Sequence, residues 1–145
     1  MYAIREAAKV LGIDLSKATV AIQGFGNAGY HAAKLCKELF GAKIVAACDS
    51  QGSIYCENGI NPDEAYACKS STSSVCNMEG VENICGDDLL SLDVDILIPA
   101  AIENVITDRN AGEVKAKIIA ELANGPTTPE ADAILYDNGI HVIPD

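Results

Sequence analysis

Six consecutive residues carry the clearest chemical capacity in the chain: Gly24-Phe25-Gly26-Asn27-Ala28-Gly29, a G-x-G-x-x-G pattern. Gly24 permits a tight turn, Gly26 lets a diphosphate approach the backbone, and Gly29 allows a helix to pack closely on a strand. The first N–H groups of such a helix have no acceptor inside it, and its dipole adds positive potential, so the turn can hold an anion. The pattern lacks the Gly-Lys-Ser/Thr ending of an ATP-hydrolysing phosphate loop. Asp49 follows Gly29 by twenty residues, near where an acidic side chain accepts from the adenosine ribose hydroxyls of a dinucleotide. Its charge disfavours the 2′-phosphate of NADP, and the adjacent Ser50, Gln51 and Gly52 include no Arg. On these residues alone NAD is favoured. The competing readings are an ordinary strand-to-helix turn for the glycines and a solvated loop acid for Asp49.

The glycine turn needs a strand before it and a helix after it, and the patterning supplies both. Thr19 to Gln23 is a short β-branched apolar run. Ala28 to Phe40 has helical spacing, with Ala32, Leu35, Cys36, Leu39 and Phe40 expected on one side and Gly41 just past the end. Lys43 to Cys48 predicts a second strand, Asp95 to Pro99 a third, Lys117 to Leu122 a fourth and Ile140 to Ile143 a fifth. Helices are expected over Tyr2 to Leu11, from Asn61-Pro62-Asp63-Glu64 to the Ser70–Ser74 run, and from Thr128 to Asn138. Short helical turns are expected from Asp87 to Leu90 and at Thr107 or Asp108. Gly52, Asn58 and Gly59 mark a loop, and the stretch from Ser74 to Gly86 has no clear period. The strands are near-continuous apolar runs, as in a parallel sheet buried on both faces. Strands alternating with helices imply βαβ units. The expected fold class is therefore α/β, a doubly wound, mainly parallel sheet of the Rossmann kind.

The 145 residues suit one domain, and residues 1–145 are expected to form it. A formal net charge of −11 argues against nucleic acid, whose phosphates need clustered Lys and Arg, and against anionic lipid. No apolar run approaches the roughly 20 residues that span a bilayer. The acidity reads as solubility in a salty cytoplasm, and with no leader at the start of the chain a cytoplasmic location is expected. None of the six cysteines forms a C-x-x-C pair, and His31 and His141 are far from any pair of cysteines, so no metal site is expected. Cys36 and Cys48 fall in apolar segments and are expected in the core. Cys56, Cys68, Cys76 and Cys85 lie in polar stretches and are expected to be exposed thiols.

Longer stretches resemble a known family. Gln23-Gly24-Phe25-Gly26-Asn27-Ala28-Gly29 resembles the coenzyme fingerprint of the glutamate/leucine/phenylalanine/valine dehydrogenase superfamily. Asp49-Ser50-Gln51-Gly52 with Ile54-Tyr55 resembles its second-strand exit, and Ile98-Pro99-Ala100-Ala101-Ile102-Glu103-Asn104 its Pro-Ala-Ala-x-x-Asn loop. The stretch from Ala123 to Ala131 resembles its Ala-Asn-Gly-Pro-Thr-Thr-Pro-Glu-Ala segment, and Ile143-Pro144-Asp145 the start of the family's next segment. The wording is nearest to that of glutamate dehydrogenases. The resemblance implies that Ala100, Ala101 and Asn104 line the coenzyme cleft and that Asn124 lies near the nicotinamide ribose. It also implies that NADP is possible, since members with an Asp-Ser pair include NADP users. These positions follow strand ends, where ligands bind in open α/β sheets; the alternative for Asn104 and Asn124 is turn chemistry.

The family oxidises an amino acid by hydride transfer to the nicotinamide, yielding a 2-oxo acid and ammonia. Its catalytic Lys and Asp and its substrate-carboxylate lysines resemble nothing in this chain, and in the family they come from a preceding domain. No catalytic residue is therefore assigned. The chain is expected to be the coenzyme domain of a longer enzyme, binding coenzyme without catalysing. The amino-acid substrate would meet the absent domain, and the full-length protein would be a homo-oligomer, a hexamer. Two other readings stand: the same domain of a leucine, phenylalanine or valine dehydrogenase, and a stand-alone nucleotide-binding sensor.

Overall fold

The structure, a computed structural model, describes residues 1–144; Asp145 of the Ile143-Pro144-Asp145 match lies outside them. Seven strands form one sheet: β1 (Thr19–Gln23), β2 (Lys43–Asp49), β3 (Gly52–Tyr55), β4 (Glu82–Ile84), β5 (Ile96–Pro99), β6 (Ile118–Ala120) and β7 (His141–Ile143). Their order is β4-β3-β2-β1-β5-β6-β7. The β2-β1-β5-β6-β7 block is parallel, and β3 and β4 add antiparallel strands beyond β2. The helices are α1 (Tyr2–Leu11), α2 (Asn27–Phe40), α3 (Pro62–Thr72) and α4 (Pro129–Asp137). This is the doubly wound α/β fold expected from the strand–helix alternation.

Period-two alternation divides the apolar side chains between two cores. Val20 and Ile22 of β1, Ile44 of β2, Ile96 and Ile98 of β5, and Ile118 of β6 enter one core with Ile4, Ala33 and Cys36 from α1 and α2. Ala21, Val45, Leu97 and Ile119 from the same strands enter the other, with Leu89, Ala131 and Leu135. Both faces are covered, so every central strand reads as an unbroken apolar run.

The helix ends follow local chemistry. Gly12 and Gly41 close α1 and α2 in the left-handed conformation. Asn61 caps α3 by accepting from Asp63 and Glu64 N–H, and Thr128 caps α4 by accepting from Ala131 N–H. Five sequence expectations need correction. Gly52 opens a strand, β3, which pairs antiparallel with β2 across the Ser50-Gln51 turn and, further along the chain, with β4. β4 occupies part of the stretch without a clear period. Leu35 and Leu39 are 39% and 52% exposed, because the buried face of α2 runs through Gly29, Ala32, Ala33, Cys36 and Phe40 instead. The helical turn expected from Asp87 to Leu90 is present within the 3-10 turn Gly86–Ser91, but the short helix expected to open at Thr107 or Asp108 is a 3-10 turn that begins only at Ala111 (Ala111–Glu113). Of the four cysteines expected to be exposed, only Cys85 is; Cys56, Cys68 and Cys76 are half-buried. Cys36 and Cys48 are buried as expected, and burial pushes the Cys36 thiol up to about 11.

The tightest junction in the fold joins α2 to β1. A β-carbon at Gly29 would fall on the Gly24 carbonyl oxygen and crowd Ile22 Cγ2 at 3.2 Å. Gly29→Ala is therefore expected to push α2 off the sheet and cost about 3 kcal/mol. Thermal unfolding followed by circular dichroism should show a midpoint lower by about 6–12 °C; an unchanged midpoint would mean that the helix can shift freely.

Candidate functional site

The chain leaves β1 toward β2 on one side and later returns to β5 on the other. Between the carboxyl ends of β1 and β5 the connections diverge, which opens a crevice in doubly wound sheets. A cleft of about 550 Å³ lies there, lined by Gln23, Gly24, Phe25, Gly26, Cys48, Asp49, Ser50, Lys69, Ala100, Ala101 and Ile102. The strand ends are locked side by side: Gln23 is in register with Pro99, and Ala100 N–H donates to the Gln23 carbonyl at 2.7 Å.

Each glycine has a distinct surrounding. Gly24 sits at φ 101°, and a β-carbon there would lie 2.5 Å from Ala101 Cβ and 2.9 Å from Ala101 N. Ala101 is thus small because the glycine turn passes against it. Gly26 is different: its backbone is ordinary extended chain, and its β-carbon would meet nothing within 4 Å. Its bareness serves no packing in the fold. Gly26 caps α2 without any side-chain hydrogen bond, so the first N–H groups of the helix remain free to bind an anion.

The residues expected from the sequence fall into three groups. Gly24, Phe25, Gly26, Asp49, Ser50, Ala100 and Ala101 meet around the cleft. The Phe25 ring is buried, 1% exposed and edge-on to Tyr30, so only its backbone faces a ligand. Asn27, Ala28 and Gly29 form the first turn of α2. Asn104 and Asn124 do not line the cleft. They stand in neighbouring loops that are tied together, Asn104 N–H donating to the Gly125 carbonyl at 2.9 Å and Ile106 N–H to that of Pro126 at 2.9 Å. Asn104 has φ 54°, a left-handed turn position that Asn tolerates better than most residues.

Asp49 is more committed than a loop acid. Its Oδ1 accepts from Gln51 N–H at 2.9 Å, and its Oδ2 from Val75 N–H at 2.8 Å. The Ser74 hydroxyl, fully buried, donates to both oxygens at 3.2 and 2.9 Å. Partial burial opposes the charge, but the hydrogen bonds from Val75, Gln51 and Ser74, with the nearby Lys69 ammonium, hold the carboxyl below its ordinary value. Three donors on a group with about four lone-pair directions leave little capacity for a further partner.

Lys69, half-buried on α3, was not apparent in the sequence. Its Nζ donates to the Phe25 carbonyl at 3.1 Å and brings a positive charge to the cleft wall. Forty-four residues separate them, and only the packing of α3 beside α2 joins the two. Gln23 was also missed as a lining residue; its Oε1 is buried with no hydrogen-bond partner among the described residues. A buried acceptor left unpaired costs free energy unless a ligand or water donates to it. Taken together, the cleft offers free N–H groups, one ammonium, one fixed carboxylate and space over a bare glycine.

Comparison with known proteins is consistent with this geometry. The Glutamate/Leucine/Phenylalanine/Valine dehydrogenase family matches residues 1–145. The chain is 46% identical over its full length to the NADP-specific glutamate dehydrogenase A1 of Halobacterium salinarum, covering 35% of that protein. It is 47% identical over its full length to the NAD-specific glutamate dehydrogenase of Staphylococcus aureus, covering 34%. It superposes on hetero-hexameric glutamate dehydrogenase from Thermus thermophilus with a TM-score of 0.89 at 30% identity, over 98% of this chain and 33% of the other. The chain thus spans about a third of the length of the relatives it matches. It belongs to the glutamate/leucine/phenylalanine/valine dehydrogenase family.

The Asp49 network can be tested separately from ligand binding. Asp49→Asn replaces acceptor capacity by an amide and should cost about 2 kcal/mol in urea unfolding at pH 7. The folded-state pKa is lowered, so this advantage of the native protein is complete above the ordinary carboxylate value near 3.9. It shrinks as pH falls through the lower folded value. Unfolding curves that differ equally at pH 7 and at pH 2 would show that charge has no part in it.

Proposed function

We propose that this member of the family is the coenzyme-binding domain of a glutamate-dehydrogenase-type enzyme, following a substrate domain in the full protein. That enzyme deaminates L-glutamate oxidatively to 2-oxoglutarate and ammonia with NAD or NADP. The observation that carries the reading is Gly26: a bare position that packing does not require, over open space, at the free N-terminus of α2.

When bound, the nicotinamide supplies hydride acceptance. This chain's residues bind and orient. The backbone of Gly24, Phe25 and Gly26, with the first turn of α2 at Asn27, Ala28 and Gly29, holds the diphosphate. Asp49 and Ser50 face the adenosine ribose, Asp49 mainly through its fixed charge. Ala100 and Ala101 leave room beyond the turn, and Asn124, in the loop tied to that of Asn104, lies near the nicotinamide ribose. No residue here moves a proton or hydride; that work belongs to the substrate domain, because transfer needs the reactants about 3–3.5 Å apart in aligned geometry. A hexameric full-length protein is in keeping with the hetero-hexameric structural neighbour.

Both coenzymes are compatible with the charges in the cleft. Asp49 disfavours a 2′-phosphate, whereas Lys69 attracts one, and the relatives include an NAD-specific and an NADP-specific enzyme. Titration with NADH and NADPH, followed by nicotinamide fluorescence, should show saturable binding of at least one. Gly26→Ala should lower the thermal midpoint by no more than a few degrees, through the poorer helix cap, and weaken binding at least about tenfold, since the added β-carbon meets no protein atom within 4 Å and points into ligand space. Absence of binding to either coenzyme would overturn the reading. Lys69→Met should weaken NADPH by about tenfold and NADH far less, as expected for one charge-assisted hydrogen bond; equal losses would place Lys69 on the diphosphate instead.

A further inference from the structure

One face of α3 packs on the glycine turn and the first two turns of α2. Asp63, Tyr66 and Lys69 recur every three residues, the spacing of a single helix face. Asp63 accepts from the Tyr30 hydroxyl and pairs with Lys34 at 3.7 Å. The Tyr66 ring stacks on Tyr30, with centroids 4.3 Å apart and planes 20° from parallel. Its hydroxyl donates to Asn27 Oδ1 at 3.0 Å. Lys69 reaches the Phe25 carbonyl. Four contacts thus grip residues 25, 27 and 30, which bracket the place where the backbone presents its free N–H groups.

The Tyr66–Asn27 contact fixes more than position. A carboxamide is planar, with an acceptor at one end and two donors at the other. With Oδ1 held by Tyr66, the orientation of the Asn27 amide is set and its Nδ2 keeps both hydrogens without a protein acceptor among the described residues. Asn27 is the first residue of α2 and exposed, so these donors stand beside the unsatisfied backbone N–H groups. Without the phenol hydroxyl the carboxamide can rotate and offer its oxygen, which repels an anion.

We propose that Tyr66 is a positioning residue for the diphosphate of the coenzyme, holding the Asn27 carboxamide with its NH2 available to a phosphate oxygen while its ring, stacked on Tyr30, braces the first turn of α2. The inference rests on the coenzyme-binding reading and deepens it. It assigns part of anion recognition to α3, an element outside the strand–turn–helix unit that carries the glycine pattern.

The test uses Tyr66→Phe, which keeps the stacked ring and removes one oxygen, with ADP-ribose and adenosine as probes followed by calorimetry or ligand NMR. ADP-ribose carries the diphosphate and adenosine does not. The variant should keep the native thermal midpoint within a few degrees and bind ADP-ribose about 3- to 10-fold more weakly, as one lost neutral hydrogen bond implies. Adenosine binding should be unchanged. Asn27→Ala should lose a similar factor, and the double variant should be no worse than Asn27→Ala alone, because both changes remove one arrangement. Undiminished ADP-ribose binding by Tyr66→Phe, or an equal loss for adenosine, would overturn the proposal. A native chain that binds no ADP-ribose overturns the coenzyme reading itself, and this one with it.

Discussion

The first turn of α2 touches β1 backbone to backbone, with no side chain between Gly29 and the Gly24 carbonyl. Much of the site depends on that contact. It fixes the height of the helix above the sheet and so the point at which its unpaired N–H groups emerge. It also holds Gly24 against Ala101, joining the exit of β1 to that of β5. The cleft is therefore a by-product of close packing at two glycines, and the third, Gly26, contributes only space. The same six-residue motif thus contains two kinds of glycine, one kind required by the protein and one by the molecule it holds.

Around that fixed centre the charges are arranged by distant parts of the chain. Asp49 ends β2, yet its donors Ser74 and Val75 lie beyond α3. Lys69 belongs to α3, yet its ammonium sits on a carbonyl of the glycine turn. The segment from α3 to Val75 wraps one side of the cleft and is tied at both ends, to Phe25 and to Asp49. A wall tied in this way loses little conformational entropy when a ligand arrives, which favours binding.

How far the sequence revealed this depends on the range of each interaction. The parallel strands were legible because both of their faces are buried, which leaves continuous apolar runs at Val20–Ile22, Ile44–Ala47 and Ile96–Ile98. Helix caps at Asn61 and Thr128 were legible because capping is local. β3 and β4 were not: four and three residues long, partly polar, they exist through pairing with β2 and with each other. Leu35 and Leu39 misled because small residues, Gly29, Ala32 and Ala33, form the buried face that lets α2 approach the sheet. In the cleft, Gly24, Asp49 and Ala101 were readable from spacing and resemblance. Lys69, Ser74 and Tyr66 were not, since each acts on a residue 25 to 44 positions away.

The division of labour between Asp49 and Lys69 has a consequence for how such a protein can change over time. Asp49 is bound into the framework through Gln51, Ser74 and Val75, so its replacement disturbs the architecture as well as the ligand. The exposed Ser50 carries no such internal obligation, and Lys69 carries one, a single hydrogen bond to the Phe25 carbonyl, against several for Asp49. Drift in coenzyme preference can therefore run through positions 50 and 69, at small thermodynamic risk, while the acid stays in place. Within one lineage the taste for one dinucleotide or the other becomes a trait that can be lost and regained without rebuilding the domain.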